Sequence, residues 1–296
     1  VDVDPLALST AARLVVVAGK GGVGKTTVSA VTARAAADAG LRVLAVELED
    51  KPALAELLRG DHRIETMTLT PSDALAHYLN THGLARVSRR LMNTGIIDVV
   101  SNASPGLDDL LVLAQLKSLA RDRLDVDLIV VDGPAAGHAI TFLQSPAGLA
   151  DAVTSGPVAT QAREVLEMLH DPHRCQVVLV TTPDTTPVTE LIETAFALED
   201  RVGVQLGPVV VNGVDAFGPL PDPADLTARL PSGAQGQALV AAAVTRRIRQ
   251  QREAKALRRL ADELPLPLLQ LPWVPTAGIT GADLASLVAR FTAVTT

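Results

Sequence analysis

The chain has 296 residues, a formal charge of −7, one cysteine, and only 2% aromatic residues in a composition that is 48% hydrophobic. That length holds one large α/β domain or two small ones, and the acidic balance gives no global reason to expect nucleic acid or an anionic membrane as partner. One cysteine excludes an internal disulfide and a cysteine-pair metal site and points to a reducing, cytoplasmic compartment. No apolar run of about eighteen residues and no leader pattern is read, so no transmembrane segment is expected.

The first apolar run, residues 13–18, leads into Gly19-Lys20-Gly21-Gly22-Val23-Gly24-Lys25-Thr26-Thr27, which opens an alanine-rich helical pattern over 24–39. Strand, glycine loop and helix form the context of a phosphate-binding loop, and the spacing fits G-x-x-x-x-G-K-[ST]. The glycines let backbone N–H groups of Gly19 to Thr27 turn toward phosphate oxygens, and the helix N-terminus adds its positive dipole end. Lys25 belongs on the β- and γ-phosphates and the Thr26 hydroxyl on Mg²⁺.

Apolar runs recur at 42–48, 126–131, 176–181, 207–211 and 267–271, with helical patterns at 158–170, 186–202 and 236–263. This alternation predicts an α/β fold, a doubly wound and mostly parallel sheet flanked by helices. Residues 60–125 break the rhythm. They show no convincing strand but carry amphipathic stretches at 73–79, 84–92 and 107–121, so a helical insertion within a single domain over 1–296 is expected. Leu128-Ile129-Val130-Val131-Asp132 is a Walker B pattern that delivers Asp132 to Mg²⁺ at a strand end. Residues 133–138, rich in Gly, Pro and Ala, follow as a candidate switch loop. Residues 214–235 read as a loop.

Lys20, directly after the first glycine, is not needed by an ordinary phosphate loop. K-G-G-V-G-K-T resembles the deviant Walker A loop of the dimeric ATPases that include ArsA, MinD, ParA and the nitrogenase iron protein. Residues 132–138 and 142–146 narrow the resemblance to the ArsA family, whose segment reads D-T-A-P-T-G-H with L-Q-x-P downstream; the sequence departs from it at Gly133, Pro134 and Ala136. Residues 104–108 resemble the family's P-G-x-x-E segment, 182–190 its third switch region, 210–212 its adenine-reading V-V-N, and 271–275 the proline loop over the base.

The resemblance implies a cytoplasmic, Mg²⁺-dependent ATPase, free or at the membrane surface. It acts as a homodimer or as a heterodimer with a related ATPase subunit, coupled to a client such as a membrane protein. Lys20 would reach the partner's nucleotide. Asn212, Pro272 and Val274 would hold adenine, and Thr26 and Asp132 the metal. In the segment that orients the attacking water, this chain offers Glu49, then Asp50, then Glu47, with Glu47 also able to face Mg²⁺. Two alternatives stand beside this: a MinD/ParA-like positioning ATPase, and a weakly hydrolysing, nucleotide-gated subunit. The single cysteine opposes arsenite activation, a zinc-clasped dimer and an iron–sulfur cluster. The basic run between Arg246 and Arg259 reads as a solvated helix face, and His170, His173 and Cys175 as a surface turn.

Overall fold

The computed structural model describes residues 4–48, 52–81, 83, 106–218, 220–222, 225, 229 and 233–294. Its strands are β1 (Leu14–Gly19), β2 (Val43–Glu47), β3 (Ile64–Thr68), β4 (Leu128–Ala135), β5 (Cys175–Thr181), β6 (Leu206–Val214), β7 (Leu268–Pro272) and β8 (Thr292–Val294). Among the described residues they form one sheet in the order β3-β2-β4-β1-β5-β6-β7-β8. Every pairing is parallel except β7 with β8, which is antiparallel. The parallel strands read as unbroken apolar runs because helices cover both faces. β1 shows the rule: Leu14, Val16 and Ala18 enter one core and Val15 and Val17 the other, with every residue of the strand buried.

One face carries α1 (Pro5–Ser9), α2 (Lys25–Asp38) and α3 (Ala53–Leu57). The other carries α4 (Pro71–Thr81), α5 (Leu107–Asp122), α6 (Ala136–Ala152), α7 (Pro157–His170), α8 (Thr185–Arg201) and α9 (Ala234–Glu263), while α10 (Gly281–Ala289) returns to the first face. β1 lies between β4 and β5. The loop after it therefore sits at the carboxyl edge where chain connections diverge, the place where such sheets bind ligands.

The α/β expectation holds, with differences. Residues 60–125 are not wholly helical, because β3 pairs with β2 as an edge strand. Its sequence hides this: in Ile64-Glu65-Thr66-Met67-Thr68 only Ile64 is buried. Within the same span α5 packs on the sheet, its Leu110, Leu113 and Leu116 at most 1% exposed in the main core. Residues 84–92 lie outside the described residues. The expected loop at 133–138 is instead strand running straight into α6. Gly133 permits it, since a Cβ there would stand 2.5 Å from the Val17 carbonyl oxygen. Pro146 inside α6 removes one helix donor. The Ser145 hydroxyl donates to the orphaned Phe142 carbonyl at 2.9 Å, which keeps the helix continuous.

The edge strand is tied to α2 by charge. Arg63 meets Asp38 at 2.7 Å and Asp61 at 2.8 Å, and Arg34 reaches Asp61 at 3.0 Å. Arg63 above all holds the Asp61 carboxyl at about 2, below its ordinary 3.8. A depressed carboxylate stabilises the fold above its unfolded value and loses that contribution as pH falls through the folded one. Because Arg63 is half-exposed, Asp61→Asn is expected to cost about 1 kcal/mol at pH 7. The difference should shrink between pH 4 and pH 2, as urea denaturation midpoints of the two proteins will show.

Candidate nucleotide-binding site

The loop between β1 and α2 is shaped by missing side chains. Gly22 and Gly24 have φ of +85° and +91°, a region costly for residues with a Cβ. Gly24 caps α2 with no side-chain hydrogen bond, so the first-turn N–H groups stay available to an anion. A Cβ on Gly19 would lie 2.3 Å from the Val180 carbonyl oxygen, and one on Gly24 would lie 2.2 Å from Asn212 Nδ2. Gly21 and Gly22 are exposed, whereas Val23 is buried and pins the loop to the core, with its N–H toward the Lys20 carbonyl at 3.5 Å.

Asp132, at the β4 end of the sheet, receives two hydroxyls from α2. Thr26 donates to Oδ2 at 2.7 Å and Ser29 to Oδ1 at 3.1 Å. Having given its proton to Asp132, the Thr26 oxygen keeps lone pairs for a cation. Ser29 escaped the motif reading, yet its i+3 position places it on the face of Thr26. Glu47 faces Asp132 across the β2–β4 register. Its side chain is buried, and Oε1 accepts the Leu54 N–H at 3.1 Å, so it braces the start of α3. Burial pushes its carboxyl above the usual range; that backbone N–H opposes the shift and Asp132 adds to it. Oε2 is buried with no hydrogen-bond partner. The set of Thr26, Asp132 and this oxygen is all hard oxygen, which suits a hydrated Mg²⁺. Glu49 and Asp50 lie outside the described residues.

Lys25 sits in the first turn of α2, with its ammonium 3.5 Å from the Lys20 carbonyl oxygen. Thr27 opens on a cavity of about 320 Å³ shared with Ala53 and Glu56 of α3 and Thr280. The Lys20 ammonium meets Glu190 of α8 at 2.6 Å.

The structure brings Asn212 to the loop: its amide donates to the Val23 carbonyl at 2.9 Å. That leaves Oδ1 and the second amide hydrogen for a base. Pro272 ends β7 beside it, and Val274 packs against the core beneath the α2 face. Trp273 between them is 47% exposed, with Arg249 over its ring at 5.5 Å. Arg246 stacks over Phe217 at 5.2 Å, and these four with Asp215 line a cavity of about 220 Å³. Asp215 binds Arg246 at 2.6 Å, which holds its carboxyl below the usual range; the buried Glu253 accepts from Arg249 at 2.9 Å and from the Asp215 N–H at 3.1 Å. The basic run is therefore more than a solvated face, since Arg246, Arg247, Arg249 and Arg259 each pair with an acid.

The 170–175 segment serves the strand. Cys175 is buried in β5 with its thiol pushed up to about 12, and His170 Nε2 bonds the Val202 carbonyl. Among the described residues no cluster of His, Cys, Asp and Glu suggests a further metal centre, and no helix is long and apolar enough to cross a membrane.

The sequence profile of the anion-transporting ATPases matches residues 12–156, from β1 through the Walker B strand and α6. The chain belongs to the ArsA ATPase family. It is 31% identical over 224 residues to ATPase BagA of Mycobacterium tuberculosis, covering 68% of this chain and 64% of the relative. It is 27% identical over 211 residues to an arsenical pump-driving ATPase of Escherichia coli, covering 67% of this chain and 34% of that protein. ATPase GET3A of Arabidopsis thaliana is 29% identical over 148 residues, 46% of this chain and 39% of the relative. The matched region thus spans less than two thirds of each relative's length, so membership fixes the family and the nucleotide-binding class.

Gly24→Ala tests the loop. A left-handed backbone costs a residue with a Cβ about 1–2 kcal/mol, and the added methyl meets the Asn212 amide. ATP affinity measured by titration calorimetry is expected to fall roughly tenfold or more. The far-ultraviolet circular dichroism should stay that of the parent.

Proposed function

We propose that the chain binds ATP with Mg²⁺ and hydrolyses it as one subunit of a dimer that closes on nucleotide, either with its own copy or with a related ATPase subunit. The observation that carries this reading is the Thr26–Asp132 contact at 2.7 Å beneath a glycine loop whose N–H groups open on the end of α2. The loop amides cradle the phosphates and Lys25 opposes their charge. Thr26 and Asp132 would hold Mg²⁺, with Glu47 behind them, and the ion would supply charge neutralisation to the triphosphate. Glu49 orients the attacking water, with Asp50 and Glu47 next in order. The water oxygen bonds to the γ-phosphorus, the bond to the β–γ bridging oxygen breaks, its electron pair leaves with ADP, and the water's proton passes to an oxygen of the phosphate released. Positioning and charge are most of what phosphoryl transfer needs from a protein.

Adenine fits between Asn212 and the 272–274 segment, with the arginine-capped Trp273 and Phe217 at the outer wall. Lys20 reaches the partner's nucleotide. The motion passes toward a client through α5: a cavity of about 140 Å³ joins Leu48 at the β2 end, Pro134 and His138 at the β4 end, and Asp109 of α5. Burial and Asp108 raise the Asp109 carboxyl, while His138 of α6 opposes them. Anion-pump coupling, membrane-protein targeting and another transport or envelope role are the client classes open to it. α10 packs on α2 and buries Leu284 and Leu287 in the core on that face.

Trp273 is the only tryptophan, so its fluorescence reports the base end directly. ATP is expected to quench or shift it, and inorganic tripolyphosphate to leave it unchanged. On the same samples, the ATPase rate per subunit should rise with protein concentration as light scattering shows dimer. Lys20→Ala should remove that rise. A rate independent of concentration and equal in both proteins would refute the dimer mechanism.

A further inference from the structure

We infer that Glu190 is a positioning residue for the reaction: it holds Lys20 within its own subunit, and the ion pair must open before Lys20 can serve the neighbouring active site. This rests on the cross-dimer role of Lys20 proposed above. Lys20 and Glu190 meet at 2.6 Å, and each side chain is about two-fifths exposed. The pair is set by the sheet. β5 lies beside β1 with Gly19 in register with Val180, and the missing Cβ of Gly19 lets the loop press onto the Val180 carbonyl. The chain leaving β5 therefore emerges beside the phosphate loop, and α8 carries Glu190 to the Lys20 ammonium.

Glu190 stands on a fixed base. Val188, Leu191 and Ile192 around it are at most 5% exposed in the main core. Arg259 of α9 donates to the Thr189 hydroxyl at 2.6 Å and pins the same turn from outside. Lys20 is the looser partner. Its carbonyl is only 3.5 Å from both the Lys25 ammonium and the Val23 N–H, the long end of hydrogen bonding. The swinging element is therefore the lysine and the loop turn that bears it.

One ammonium cannot neutralise Glu190 and a partner's triphosphate at once. A half-exposed pair is weak, so a triphosphate with several negative charges displaces the carboxylate readily. Glu190 thereby raises the threshold for dimer closure without blocking it. A reason follows for an acid in the second turn of α8 opposite the early lysine: it holds the lysine side chain within its own subunit until a second subunit arrives.

The test uses the full chain and four variants: Glu190→Gln, Glu190→Asp, Lys20→Ala and the Lys20→Ala/Glu190→Gln double. The readouts are dimer fraction by light scattering and the protein concentration giving half-maximal ATPase rate, both in saturating ATP and Mg²⁺. Trp273 fluorescence reports nucleotide affinity. Glu190→Gln should lower the half-maximal concentration about two- to fivefold, the scale of a half-exposed ion pair. Glu190→Asp should behave like the parent. In the Lys20→Ala background the Gln substitution should leave the dimer fraction unchanged, and the Trp273 response to ATP in dilute, monomeric Glu190→Gln should match the parent's. An unchanged half-maximal concentration in Glu190→Gln would overturn the proposal. So would weaker dimerisation, which would place Glu190 across the interface, and so would an equal shift in the Lys20→Ala background. If Lys20→Ala alone dimerises and turns over like the parent, the cross-dimer reading itself fails, and this inference falls with it.

Discussion

Three strand ends and one loop converge here because glycine leaves room for them. Gly19 lies against the Val180 carbonyl, Gly24 against the Asn212 amide, and Gly133 against the Val17 carbonyl, each closer than a Cβ allows. These approaches draw β5, β6 and β4 onto the segment that follows β1. The Val23 side chain, buried beneath, anchors the segment to the core, and the Asn212 amide fastens its carbonyl from above. Gly21 and Gly22 leave the exposed side of the loop free of side chains. Everything else in the site is arranged around that backbone.

Electrostatics follow from the same convergence. The parallel register sets Glu47 beside Asp132 near the carboxyl edge, where burial first, and Asp132 after it, oppose the ionisation of Glu47. The fold offsets part of this cost with hydroxyls from Thr26 and Ser29 on one acid and the backbone N–H of Leu54 on the other. One Glu47 oxygen stays unpartnered. Such a pair is costly as a structural element and well suited to a divalent cation, which turns mutual repulsion into shared coordination. Since Glu47 also braces α3, a cation held there is mechanically linked to the segment between β2 and that helix.

The outer parts of the site are held by charge networks. Glu253 and Asp215 fix Arg249 and Arg246 over two aromatic rings at the base end, and Glu190 holds Lys20 at the phosphate end. These pairs are mostly half-exposed, so each is weak alone and open to exchange. The centre of the site is buried, and the groups free to change partners lie at its rim.

The local grammar of this chain announced its fold class and the heart of its site. Apolar runs between helical patterns can form only a covered parallel sheet, and glycines at fixed spacing before Lys25 and Thr26, with Asp132 at a strand end, have few other uses. Contacts distant in sequence were decided by tertiary structure alone. β3 was hidden because an edge strand needs few apolar residues. The straight passage from β4 into α6 was hidden because the composition at 133–138 reads as a loop, while the packing of Gly133 on β1 makes it strand. Lys20 with Glu190, Arg249 with Trp273, and Asn212 with Val23 join residues far apart along the chain. No periodicity encodes them, because they depend on which strands the sheet sets side by side.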